Sequence, residues 1–171
     1  AAGEAPHYTI SGVTHPNVLL HHGDGYRQGL IRQVQRLGLG AHVTFDATYR
    51  TVEELTRFVA SSSVVVLPYD SRDQVTSGVL VDAIATGRPV IATAFPHAVE
   101  LLATGAGIVV PHGDVERLAA AIHSVVGQPD QRAAMAAEAR RLAPDLLWPN
   151  VARRYLALFD ELLYTAHAVA M

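Results

Sequence analysis

The stretch Pro68-Tyr69-Asp70-Ser71-Arg72-Asp73-Gln74-Val75-Thr76-Ser77-Gly78-Val79-Leu80-Val81-Asp82-Ala83-Ile84-Ala85-Thr86-Gly87-Arg88-Pro89-Val90-Ile91-Ala92-Thr93 decides how this chain is read. It follows an apolar run, Val64 to Leu67, and predicts a polar loop that leads into a helix whose start carries Thr, Ser and Gly. Gly87 stops that helix, and a second apolar run, Val90 to Ala92, follows Pro89. Strand, loop, small-residue helix start and strand together make a place for a phosphate. The first N–H groups of a helix lack intrahelical partners, and the helix dipole favours negative charge there. Gly78 carries no side chain to hold an anion off.

Outward from this stretch, apolar runs alternate with helical patterns. Tyr8 to Ile10, Val43 to Phe45, Val64 to Leu67, Val90 to Ala92 and Ile108 to Val110 are short and mostly β-branched, as strands covered on both faces are. Between them, helices are predicted at Tyr26–Leu37, Val52–Ala60, Gly78–Thr86, His97–Ala103 and Val115–Val126. In the last of these Asp114 is the expected N-cap, Leu118, Ile122 and Val125 share a face, and Gly127 with Pro129 ends the helix. Gly38 ends the first helix in the same way. Past Pro129 only helix is expected, to about Leu142, with a break at Pro144 and a last helix from Val151 to Ala168. Such alternation predicts an α/β fold with a Rossmann-like, doubly wound parallel sheet and extra C-terminal helices, residues 1–171 forming one domain.

Composition narrows the function classes. A chain of 171 residues that is 50% hydrophobic and 17% charged can bury a core and is not a disordered tail. Its net charge of -3 gives no electrostatic footprint for nucleic acid. The sequence has no Cys, which excludes disulfides and thiolate metal sites and suits a reducing, cytoplasmic compartment. No apolar run is long enough for a transmembrane segment. All 13 basic residues are Arg, so chemistry that needs an amine has no source in this chain. His15, His21, His22 and Asp24 match no zinc spacing, and no metal requirement and no cofactor are expected.

Open α/β sheets bind ligands beyond the carboxyl ends of their strands. In this chain that rule selects Gly12 to His15, Asp46 to Arg50, Tyr69 to Gly78, Ala94 to His97 and Pro111 to Asp114. Most of the unusual polar residues lie in those five loops.

The pieces Ile10-Ser11-Gly12, Leu37-Gly38-Leu39 with His42-Val43-Thr44-Phe45, Ser63 to Tyr69, Ala83 to Thr93, Glu100-Leu101-Leu102 and Gly107 to Pro111 with Asp114 come in a telling order. From His7 to about Asp114 the chain resembles the C-terminal, donor-binding domain of a retaining glycosyltransferase of family 4 (group 1), with the GT-B fold. Asp130 to Arg141, Trp148 and Tyr155 continue the likeness to the tail. The resemblance implies a nucleotide-diphosphate sugar as substrate and transfer of a hexosyl group with retention. It also implies an N-terminal acceptor-binding domain, absent from this sequence, and hence a bacterial domain fragment that is inactive alone. Peripheral membrane association of the full-length protein is compatible with that reading.

Two departures bear on the chemistry. The family's two Glu, separated by seven intervening residues, are replaced by Gln74 and Asp82. The resemblance gives the ribose to Asp82, the sugar to Gln74, the diphosphate to Thr76, Ser77 and Gly78, and the nucleobase to the loop with Tyr49. His97, at a strand end, is a further candidate against the phosphates. Gln74 can donate as well as accept, but any role that needs full negative charge is lost. The loop is nearer to a family sub-pattern in which Gln precedes a Thr-Ser-Gly helix start. The second departure is that the family's Arg/Lys pair, which meets the diphosphate, would lie before Tyr8. Two charge-assisted contacts of about 1.5–3 kcal/mol each are then missing. No catalytic residue is assigned.

Each site residue has a plainer reading: Thr76 and Ser77 as caps, Asp82 as a solvated helix residue, Tyr49 as packing, His97 as a cap. Glu100 is expected to make a structural hydrogen bond. For the whole chain the alternatives are a degenerate, non-catalytic GT-B domain and a nucleotide-sugar epimerase half-domain. A receiver-like signalling domain would need a Lys, and there is none.

Overall fold

The computed structural model describes residues 5–169, with side chains to residue 163. The chain packs as two compact units that divide between Glu54 and Leu55.

In the first unit β1 (Tyr8–Ser11) and β2 (Val43–Asp46) pair in parallel, with Tyr8 opposite Val43 and Ser11 opposite Asp46. Helices α1 (Pro16–His22) and α2 (Gly25–Arg36) lie between them in sequence. Gly38, at φ +68°, closes α2 as expected, a left-handed position that glycine adopts without strain. Helix α1 was not expected. His15 replaces the usual Ser, Thr, Asp or Asn cap, taking the Asn17 N–H on Nδ1 at 3.2 Å. Pro16 at the first helical position was the available signal. No described residue of this unit is fully buried.

The boundary between the units falls within α3 (Val52–Ser61). The second unit holds β3 (Val65–Leu67), α4 (Gly78–Ala85), β4 (Val90–Thr93), α5 (Pro96–Leu101), β5 (Gly107–Val110), α6 (Val115–Gly127), α7 (Pro129–Leu146) and α8 (Trp148–Val169). Its sheet is parallel in the order β3-β4-β5. All five apolar runs are strands, so the α/β class with parallel strands stands; their hydrogen bonds form two sheets, one in each unit.

Strand β4 shows why the second sheet is stable. All four of its residues are buried, and successive side chains alternate between faces. Val90 and Ala92 join a core with Leu80, Ala83, Ile84 and Phe95, whereas Ile91 joins a second core with Val110, Ala121, Val125 and Met135. Helix α4 thus supplies one core and α6 the other. Two glycines are fixed by this packing. A Cβ at Gly107 would lie 2.3 Å from the Val90 carbonyl oxygen, and one at Gly87 (φ +70°) would lie 2.7 Å from Cγ of Arg140 on α7.

The C-terminal helices depart from the expectation. Helix α7 runs through Pro144 to Leu146, because that proline sits in the last turn and deprives the helix of one bond only. The break comes at Leu147, and α8 begins at Trp148 rather than Val151. Trp148, Leu156 and Phe159 are exposed, Trp148 to 82%. Among the described residues no helix is long and apolar enough to cross a membrane.

Candidate functional site

In the second unit three strand ends meet around the loop from Pro68 to Ser77. Tyr69 leaves β3 and stacks on buried Phe95, with ring centroids 5.2 Å apart. The buried hydroxyl of Thr93, at the end of β4, donates to the Tyr69 carbonyl at 2.6 Å. From beyond β5, His112 donates from Nε2 to the Ser71 carbonyl at 3.2 Å. The loop is therefore tied down from the ends of both β4 and β5.

At its far end the loop becomes the start of α4. Ser77 is buried and is the N-cap: its hydroxyl oxygen accepts the Leu80 N–H at 3.3 Å. Its own N–H donates to Nδ1 of His97 at 2.9 Å. The Val81 N–H bonds to the Ser77 carbonyl at 3.2 Å. That leaves the N–H groups of Gly78 and Val79 without a partner among the described residues. A Cβ on Gly78 would meet nothing within 4 Å, and its φ is an ordinary one. Neither packing nor backbone conformation demands a glycine here. It leaves the helix start without a side chain beside two N–H groups that have no partner among the described residues.

Asp82 follows Gly78 by four residues on α4, so the two share a helix face about 6 Å apart. It is half-buried, and burial pushes its carboxyl above the ordinary Asp value. No side-chain hydrogen bond or ion pair offsets that cost among the described residues. A carboxylate desolvated without a partner is unfavourable for the empty protein.

Gln74 is half-buried and turns its amide back on its own loop, donating from Nε2 to the Thr76 carbonyl at 3.0 Å. A Glu at 74 has no proton to give that carbonyl, so the departure at this position is built into the loop's shape. The amide oxygen remains available as an acceptor. Thr76 itself is exposed. Glu100 is exposed on α5 and has no side-chain hydrogen bond among the described residues, contrary to expectation, because its position turns it away from the buried side of a short helix.

Tyr49 lies in the first unit, past β2, and is 85% exposed, which removes the packing reading. Around it the strand ends are held by arginines. Arg50 pairs with Asp46 and donates to the Ser11 hydroxyl at 2.8 Å, and Arg27 donates to the Gly12 carbonyl at 2.8 Å while lying over the Phe45 ring. His15 serves α1 as a cap, and Asp24 takes bonds from Thr14 and Gln28. Among the described residues no cluster of His, Cys, Asp and Glu could hold a metal ion.

The Arg50 side chain, with Thr48, holds the Asp46 carboxyl far below the ordinary Asp range. A lowered folded-state pKa contributes stability that is present above the unfolded value and is lost as pH falls from there through the folded value. The amide signals of residues 43–46 should therefore begin to lose dispersion only as pH falls from about 4 toward that much lower value, and Asp46→Asn should show part of that loss already at neutral pH. NMR spectra across the titration check this; an Asp46→Asn variant that titrates like the parent contradicts it.

Comparison with known proteins places this geometry in a family. The family described as "Glycosyl transferases group 1" matches residues 10–128. The chain belongs to the group 1 glycosyltransferases. It is 32% identical over 129 residues to the D-inositol 3-phosphate glycosyltransferase of Corynebacterium urealyticum, covering 75% of this chain and 30% of that protein. Among solved structures it is similar to Anabaena HepE in complex with UDP, at a TM-score of 0.73 and 21% identity, over 89% of this chain and 40% of that one. It is also similar to a sucrose-phosphate synthase of Thermosynechococcus elongatus, at a TM-score of 0.71 and 25% identity, over 92% of this chain and 38% of that one. The fold is that of the GT-B glycosyltransferases, and this group 1 chain spans less than half the length of each of these three relatives.

Proposed function

We propose that this chain is the donor-binding domain of a retaining glycosyltransferase that uses a nucleoside-diphosphate hexose. The observation that carries the reading is the start of α4: the N–H groups of Gly78 and Val79 have no partner among the described residues and lie one helical turn from the partnerless carboxylate of Asp82. Two donors at a helix start suit a diphosphate, and a carboxylate one turn on suits the two hydroxyls of a ribose. Thr76 and the capped Ser77 shape the approach to that diphosphate. The Gln74 amide oxygen accepts from a sugar hydroxyl. The complexes of HepE with UDP and with UDP-glucose make a uridine donor the first to test.

Transfer requires a second, acceptor-binding domain, and this chain alone transfers nothing. The exposed apolar residues Trp148, Leu156 and Phe159 form the surface for that domain. In this reading the full-length enzyme works in the cytoplasm without a metal, and peripheral association with membrane is compatible with it.

Because each phosphate adds charge at the helix start, UDP should bind the isolated chain several-fold more tightly than UMP, with both in the weak range. Calorimetry or ligand-observed NMR with UDP, GDP, ADP and the monophosphates measures the order. Equal affinity for mono- and diphosphate in a folded sample would count against a diphosphate at α4. The rival reading, a degenerate domain, predicts a full-length protein that is inactive with every donor.

A further inference from the structure

We propose that His97 is a positioning residue: as a neutral ring with its proton on Nε2, it holds the start of α4 in the shape that receives the phosphates. The ligand half of this inference rests on the donor-site reading above.

The geometry fixes the ring's state. Nδ1 of His97 lies 2.9 Å from the backbone nitrogen of Ser77, and a backbone N–H can only donate. Nδ1 must therefore carry a lone pair, and the proton of the neutral ring sits on Nε2. This contact decides which donors are left for a ligand. Of the N–H groups at the helix start, Ser77 is spent on His97 and Leu80 on the Ser77 hydroxyl, so only Gly78 and Val79 stay free. His97 thus selects the two N–H groups that an anion can reach, and it does so without being spent on the anion itself.

The same segment ties the loop a second time. The His97 N–H approaches the Gln74 carbonyl at 3.5 Å, so the two ends of one residue address both Gln74 and Ser77. Phe95, fully buried two residues earlier, anchors the segment, and the Thr93 hydroxyl holds Tyr69. His97 itself is half-buried, with Phe95 and Ala98 beside it in the core and α5 beginning at Pro96. A rigid segment between β4 and α5 therefore sets the loop that carries Gln74 as well as the first turn of α4. Binding then starts from donors already aimed, with less ordering to do.

A shape-matched pair of variants separates this role from general stability. In Asn the Oδ1 atom stands two bonds beyond Cβ, where Nδ1 stands in His, and it accepts a hydrogen bond. In Gln the acceptor is one bond further out. His97→Asn should keep the contact, whereas His97→Gln and His97→Ala should lose it.

The test has two arms on the folded chain. Without ligand, histidine ring 15N shifts should show Nδ1 bare and Nε2 protonated, and the Ser77 amide should exchange slowly in the parent and in His97→Asn, but fast in the other two. With UDP as the probe, the dissociation constant should rise roughly tenfold in His97→Ala and His97→Gln and stay within about threefold of the parent in His97→Asn. A ring protonated on Nδ1, or a Ser77 amide that exchanges like a free loop amide, overturns the proposal. So does an Ala variant that binds UDP as the parent does. If the first arm comes out as expected and the parent binds no UDP, the donor-site reading fails while the His97 contact stands.

Discussion

Phe95→Ala should cost the second unit about 3–5 kcal/mol, the largest loss expected from any single truncation of a buried side chain in this chain. Among the described residues Phe95 is the bulkiest fully buried side chain, and it does three things at once. It fills the core beside Leu80, Ile84 and Ala92, it stacks on Tyr69, and its carbonyl accepts the N–H groups of Ala98 and Val99 to start α5. Alanine keeps the carbonyl and removes the rest. The site should suffer with the fold, because Tyr69 opens the donor loop and His97 follows two residues later. Urea denaturation followed by circular dichroism reads the loss as a shift of the midpoint with little change of slope. A loss under 1 kcal/mol would mean that the core closes over the gap and that this residue does not anchor the loop.

Asp82→Asn is the second large effect, and its two consequences have opposite signs. Burial raises the Asp82 carboxyl, so the folded state prefers the protonated form. A raised carboxyl stabilises the fold below the unfolded pKa, and that stability is lost as pH rises through the folded value. At neutral pH the charge is therefore a cost, and Asn removes it. The melting temperature should rise, by no more than about 2 °C, since solvent screens a half-exposed group. Affinity for UDP should fall by about 1.5–3 kcal/mol, the worth of hydrogen bonds to a charged group, while affinity for pyrophosphate stays nearly level. A variant that is more stable and binds worse is what a carboxylate kept for a ligand would give. Equal losses for UDP and pyrophosphate would instead mean that Asp82 acts through charge or folding.

How much of this was legible beforehand depended on which force set each element. The five strands were readable because β-branched apolar runs between Gly and Pro have few other solutions in an α/β chain, and β4 is buried along its whole length. Helix α1 escaped because seven residues with a His cap and no buried side chain leave no apolar period to read. Pro144 misled because a proline in the last turn costs little, and only tertiary context tells a last turn from a middle one. At the site, the cap at Ser77 and the glycine at 78 were written in residue type and spacing. The partner of the Ser77 N–H was not, since His97 lies 20 residues on and reaches it only through the fold. The same holds for Gln74: the sequence showed an amide where the family has an acid, and only the folded loop shows its N–H donating to the Thr76 carbonyl.

The central claim is that the start of α4 receives the diphosphate of a nucleotide donor. A backbone amide NMR titration of this chain with UDP tests it most directly. The account predicts that the largest shifts fall on Gly78 and Val79, with smaller ones through Asp82, and that Asp82→Asn moves the midpoint to higher UDP. A titration that leaves Gly78 and Val79 unshifted at millimolar UDP, in a folded sample, would contradict it.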